Sequence, residues 1–246
     1  MESPSLVLLS NQEALQRAID IVANNVANSS TNGFKREGIE FDTLLSQPAP
    51  DETIDFVVDR ATYRDTSAGP INSTGNPLDL AIQGAGYFQI QTPQGIRYTR
   101  NGTFQLNAEG QIVDMAGDTV LDTSGQPITL PETTTEINIS PDGYVTARVD
   151  SGVSLATIGQ IGVVTFDSEQ GMQQVGSGLY TTDQTPAPST QGSIVQGALE
   201  QSNVEPVVEI TQMIQIMRSY EQTVNLIGQE NTRIDNALNT LAKTTA

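Results

Sequence analysis

With no cysteine and no histidine in 246 residues, most enzyme classes are closed to this chain and chemistry by paired carboxylates is what survives. The nearest pairs are Asp114 with Asp118 and Asp142 with Asp150. Two carboxylates flanking a glycosidic bond are what acid–base hydrolysis of a glycan needs, so a carboxylate-dependent glycan hydrolase is the enzyme reading left open. Tryptophan is absent, however, so the aromatic platform of a sugar site is missing, and both pairs read more simply as acids of solvated turns. Thiolate nucleophiles, imidazole bases, Ser-His-Asp triads, disulfides and the usual zinc and haem ligand sets are all excluded. Two lysines, Lys35 and Lys243, leave a Ser-Lys dyad or a Schiff base almost nowhere to form. No D-x-D-x-D-G calcium loop occurs. Gly84-Ala85-Gly86 is followed by the strand pattern Tyr87-Phe88-Gln89-Ile90, which makes it a turn or bulge; a phosphate loop opens a helix. We therefore assign no catalytic, cofactor-binding or metal-binding residue.

Charge is unevenly spread. The net value is -18, of which the segment 36–201 carries -15, with 21 acids against 6 bases. The ends are nearly neutral: 3 acids and 2 bases in residues 1–35, 5 and 3 in residues 202–246. Near-neutral ends can associate with copies or relatives, while the middle stays solvated and self-repelling. With no basic patch, nucleic acid is not an expected partner. No run of eighteen apolar residues and no basic-then-apolar leader occurs, so direct membrane insertion and the general secretory route are not expected.

The ends also carry the longest periodic patterns. Ile210, Met213, Met217, Tyr220, Val224, Ile227, Asn231, Ile234, Leu238 and Leu241 alternate spacings of three and four, a heptad seam on a helix expected from about Pro206 to Lys243. Leu8, Gln12, Leu15, Ile19, Val22 and Val26 repeat that alternation near the start, on a helix expected to end about Ala27. A seam this narrow needs a second helix, and pairing of the two ends as a coiled coil competes with two amphipathic helices on an ordinary core. The run Asn24-Asn25-Val26-Ala27-Asn28-Ser29-Ser30-Thr31-Asn32-Gly33 stops the first helix, and Asn32-Gly33 suits a positive-φ turn. Asn24, Asn25 and Asn28 are also candidates to bond backbone where subunits meet.

Between the ends lies β structure, making an α+β chain. Phe41, Leu44 and Leu45 suggest a short helix broken by Pro48 and Pro50, and Asp55–Asp59 suggests a strand. From Leu78 to Thr182 short strands alternate with Gly turns, as in a barrel or sandwich. Asn101-Gly102, between Tyr98-Thr99-Arg100 and Thr103-Phe104, is the strongest two-residue hairpin signal. Ser202 with Glu205 is a candidate capping box before the last helix. The division is 1–35 helix and Asn-rich motif, 36–77 extended connector, 78–182 β domain, 183–201 return linker, and 202–246 final helix.

Several of these stretches resemble the bacterial flagellar axial proteins, the rod and hook subunits of the basal body. They are Asp20–Asn28 with Thr31-Asn32-Gly33-Phe34-Lys35, the Thr74-Gly75-Asn76-Pro77 entry, Gly84-x-Gly86-Tyr87-Phe88 with Tyr98–Phe104, and Gly197–Pro206 with Arg218-Ser219-Tyr220-Glu221. They occur in family order over nearly the whole chain. Length and Ser202–Pro206 look most like the proximal-rod members, with the distal-rod members second. The resemblance implies a structural subunit in the periplasm-spanning rod, exported by the flagellar type III apparatus and stacked on copies of itself and other rod proteins. On that reading the assembly residues are Leu15, Ile19, Val22, Asn24, Asn25, Val26, Asn28, Met217, Val224, Ile227, Asn231, Ile234 and Leu238. The alternatives are a carboxylate-dependent hydrolase of cell-wall glycan, for which the rod position implied by the resemblance gives a motive, and a self-assembling surface fibre.

Overall fold

The computed structural model describes residues 3–49, 52–149, 155–189 and 192–244. The chain is α+β and folds as two compact units, each built from pieces distant in sequence. The first comprises residues 1–27, 37–65 and 205–246; the second comprises 28–36 and 66–204.

The first unit holds α1 (Ser3–Ala27), the antiparallel hairpin β1 (Glu37–Ala49) and β2 (Glu52–Arg64), and α2 (Pro206–Thr244). The helix suggested around Phe41 is thus a strand, paired Leu44 with Phe56 and Ser46 with Ile54 across a long ladder. Pro48 lies at the register irregularity between Ser46 and Ala49, where a missing N–H costs the ladder least. Pro206 opens α2, a position where its fixed φ helps and its absent N–H is not missed. The expected capping box does not form: the Ser202 hydroxyl accepts instead from the Val204 N–H at 3.2 Å.

The second unit is almost wholly β. Its first strands are β3 (Ile71–Ser73), β4 (Leu80–Gln83), β5 (Tyr87–Thr92), β6 (Gly95–Thr99), β7 (Gln105–Leu106), β8 (Ile112–Val113) and β9 (Thr119–Val120). A three-stranded antiparallel sheet of β10 (Thr134–Ile139), β11 (Tyr144–Val149) and β12 (Leu155–Gln160) follows. Then come β13 (Val163–Thr165), β14 (Gln173–Gly176), β15 (Leu179–Thr181), β16 (Ala187–Pro188), β17 (Ser193–Gln196) and β18 (Ala198–Glu200). The main sheet runs β14-β15-β6-β5-β9-β8-β7, with β13 pairing both β5 and β16. Residues 183–201, expected as a linker, contain strands: β17 pairs with β4, placing Ile194 in the core, and β18 pairs with β3.

Strand β5 is buried on both sides, which its alternation explains. Phe88 and Ile90 face the larger core with Leu80, Ile82, Phe104 and Ile161, while Tyr87 joins Tyr98, Phe166 and Tyr180 on the other side. Turns between the short strands repeat one device. Asn107, Asp114 and Asp122 each accept, through a side-chain oxygen, the N–H groups two and four residues on, ahead of a glycine at +3.

Asn101-Gly102 does not make the expected hairpin. The Gly102 carbonyl accepts from the Leu80 N–H at 2.9 Å, and a Cβ at Gly102 would stand 1.6 Å from the Leu80 carbonyl oxygen. Glycine is there so that two backbones can touch, not to turn the chain. Gly102→Ala must therefore displace the β4 backbone and is expected to lower stability by at least ~2 kcal/mol. Gly117→Ala, open around the Cβ but at φ 92°, should cost only about 1 kcal/mol. Urea denaturation of the two variants checks the ranking.

Candidate assembly interface

Within the first unit, α1 and α2 lie side by side and antiparallel, registered by polar side chains. Asn25 Nδ2 donates to Glu209 at 3.0 Å, Gln12 to the Tyr220 hydroxyl at 3.1 Å, and Asn11 to the Thr223 hydroxyl at 3.4 Å. Residue i of α1 therefore stands beside roughly residue 234 − i of α2. Ala14 and Ala18 are buried and small enough for close approach. On this register the last turns of α2, from about residue 232, run past the described start of α1.

The rows that face inward differ from the expected seam by phase. Ile227 and Ile234 are half-buried, as are Met213 and Tyr220 in the same row. The second inward row is Glu209, Ile216, Thr223 and Glu230, one residue before the expected Ile210, Met217, Val224 and Asn231. Glu209 and Thr223 are buried, at 1% and 4% exposure, while Ile210, Met217, Val224 and Leu238 are 42–59% exposed. Asn231 is exposed with them.

On α1, Leu15, Ile19 and Val26 are half-buried and Asn24 is exposed. Val22 and Asn25 are buried within the chain. Asn25 is fully occupied: beside Glu209 it donates to the Glu37 carbonyl at 2.8 Å and accepts from the Glu37 N–H at 2.9 Å. Asn28 closes a turn, its carbonyl accepting from the Thr31 N–H and its side-chain oxygen from the Thr31 hydroxyl. The carboxylate pairs are accounted for differently. Asp114 caps a turn through its Oδ1, which bonds the N–H groups of Ala116 and Asp118. Asp150 lies outside the described residues.

The second unit contains a cluster that the sequence reading missed. Glu200, 1% exposed, accepts from Lys35 Nζ at 2.6 Å and from Arg100 Nε at 2.8 Å. Its Oε1 also accepts the Gly69 N–H at 3.0 Å. Lys35 donates onward to the Ser67 carbonyl, and the Arg100 guanidinium to the carbonyls of Ile82, Gly84 and Gly86. The Gly84-Ala85-Gly86 turn is thus a carbonyl nest for a buried arginine. Burial pushes the Lys35 ammonium below the ordinary lysine value, against the upward pull of Glu200. Tyr87, which donates to Glu169 at 3.1 Å, is pushed up by burial and by that carboxylate. One signal could have exposed the cluster: in an acidic chain with two lysines, Lys35, Arg100 and Glu200 each sit in one of the quoted motifs.

Three family models match these segments in order. They are the flagella basal body rod protein model over residues 6–35, the flagellar hook protein FlgE/F/G D1 domain over 81–147, and the flagellar basal body rod FlgEFG protein C-terminal model over 195–240. The flagellar basal-body rod protein FlgF of Caulobacter vibrioides is 40% identical, over 92% of this chain and 93% of its own. The chain belongs to the flagellar basal-body rod protein family. A FlgF of Mesorhizobium japonicum is 35% identical over 98% of both chains, and a FlgG of Caulobacter vibrioides is 36% identical over 89% of this chain and 92% of its own. As a member of this family, the protein is a structural subunit of the rod, in the flagellar basal body.

Replacing Glu200 with Gln leaves two buried cations without their anion and is expected to cost about 3–5 kcal/mol. Lys35→Met removes the costlier cation and leaves Arg100 paired, so it should cost less. Because the native pKa of Lys35 is lowered, the unfolded chain binds its proton more readily. Stability from this group therefore rises with pH, from the lowered native value up to about 10.4. The stability difference between wild type and Lys35→Met, followed by urea denaturation at alkaline pH, should widen in favour of wild type.

Proposed function

We propose that this chain is a proximal-rod subunit and that α2 joins neighbouring subunits through the row Ile210, Met217, Val224 and Leu238. The observation behind this reading is that α2 carries two apolar rows side by side. One faces α1; the other repeats every seven residues and stays open to solvent. A heptad row left exposed is the pattern of a helix with a second helical partner, so the inner wall of the rod would be a coiled coil completed between subunits. Covering side chains of this size stabilises by roughly 1.5–3 kcal/mol each when burial is complete. Asn24 and Asn231, both exposed, supply the polar contacts beside that row. Ile227 and Ile234 border it, and Leu15, Ile19 and Val26 do the same on α1.

On this reading the neighbours are copies of the chain and other rod proteins, and the closed tube transmits torque and encloses the export channel. The flagellar type III apparatus would deliver the subunit. The near-neutral ends meet in the wall, while the acidic β body remains solvated. Among the described residues no helix is long and apolar enough to cross a membrane.

Met217→Glu with Val224→Glu should leave the purified protein's urea stability within ~0.5 kcal/mol of wild type, since both positions are exposed. The same pair should abolish swimming and leave basal bodies without a completed rod in electron micrographs. Normal swimming by the double variant would overturn the assignment of this row.

A further inference from the structure

The chain crosses the boundary of the second unit at four points, before Asn28, after Arg36, before Thr66 and after Val204, and the last three of these lie in segments that bond one another. Inside that unit the three segments are cross-tied over a few residues each. The Gly33 N–H donates to the Glu200 carbonyl at 2.8 Å, and the Arg36 N–H to Asn203 Oδ1 at 2.7 Å. Asn203 donates through Nδ2 to the Ser67 carbonyl and hydroxyl, at 3.1 and 3.2 Å. The Gln201 N–H donates to the Pro70 carbonyl at 2.9 Å. Lys35 and Glu200 close the figure, with Ser67 and Gly69 as their second partners.

Two of these positions leave no slack. A Cβ on Gly69 would fall 2.0 Å from the Gln201 carbonyl oxygen, and one on Gly33 would fall 2.5 Å from the Arg100 carbonyl carbon. Glu200 has both carboxylate oxygens and its backbone carbonyl engaged, and Lys35, Glu200 and Asn203 each bond both of the other two segments. Buried networks of charge-assisted bonds are cooperative, and losing one member leaves the others paired less well.

We propose that Glu200 and Asn203 are the pins of a three-way tie that makes the exits of the chain from the β body open and close as one cooperative unit. A segment held singly would fray at its own free energy; three segments tied together share one. If the rod reading holds, load carried along the chain would be divided among three segments instead of resting on one. The tie itself does not depend on that reading.

Hydrogen exchange of the full-length protein, resolved by residue, tests it without reference to motility. In Asn203→Ala the amides of Gly33, Arg36, Gly69 and Gln201 should all accelerate by a similar factor, at least about tenfold. Gly33, Gly69 and Gln201 do not bond the Asn203 side chain, so their response reports cooperativity. The amides of Ile112 and Leu121, in the β core, should keep their wild-type rates and so exclude general loosening. Glu200→Gln should accelerate the same four amides further, and Glu200→Asp less. Acceleration confined to Arg36 in Asn203→Ala would overturn the proposal, and that variant decides the matter even where Glu200→Gln fails to fold.

Discussion

A single buried carboxylate, Glu200, answers two cations that arrive from residues 35 and 100, and the β body depends on that meeting. Desolvating three charges is costly, and it is offset only when each finds partners of good geometry. Here the surplus cation charge is spread onto backbone carbonyls at Ser67, Ile82, Gly84 and Gly86. The fold of the second unit follows from this. Residues 28–36 belong to a domain that otherwise begins at residue 66, because Lys35 has its anion there. The beginning, middle and end of the chain must all be present before the cluster is complete.

The first unit follows a different rule. A helix with one apolar row can be satisfied by one partner, whereas α2 has adjoining rows and, among the described residues, packs along α1. The row against α1 is registered by polar contacts, Asn25 with Glu209 and Asn11 with Thr223, which fix alignment more sharply than interchangeable aliphatic contacts would. The row left exposed is mostly apolar, with Asn231 its polar member. On the proposed function, this division keeps specificity within the chain and leaves apolar area for association.

That division also explains what the sequence disclosed. Helix limits were legible because their signals are local: the Asn-rich run before Gly33 and Pro206 at the start of α2. The heptad period was legible as well, but not its phase. Glu209 and Thr223 look like surface residues, so an inward row containing them is hidden behind the more apolar row next to it. Asn101-Gly102 misled for the opposite reason. Its dipeptide signals a tight turn, yet the glycine serves a contact with Leu80 that only the tertiary fold reveals. The Lys35–Glu200–Arg100 cluster spans 165 residues of sequence, and no window-based pattern joins its members. The segment 183–201 read as a linker because its strands are short and their buried residues, Ile194, Ala198 and Glu200, include only one large apolar side chain.

Site-specific photocrosslinking in cells tests the central claim most directly. A benzophenone amino acid placed at Val224, in the exposed row, should yield adducts with other rod subunits in assembled basal bodies. The same group at Thr223, one residue away on the row facing α1, should yield none. Adducts from Thr223 as strong as those from Val224, or no adduct from Val224 in motile cells, would contradict the account.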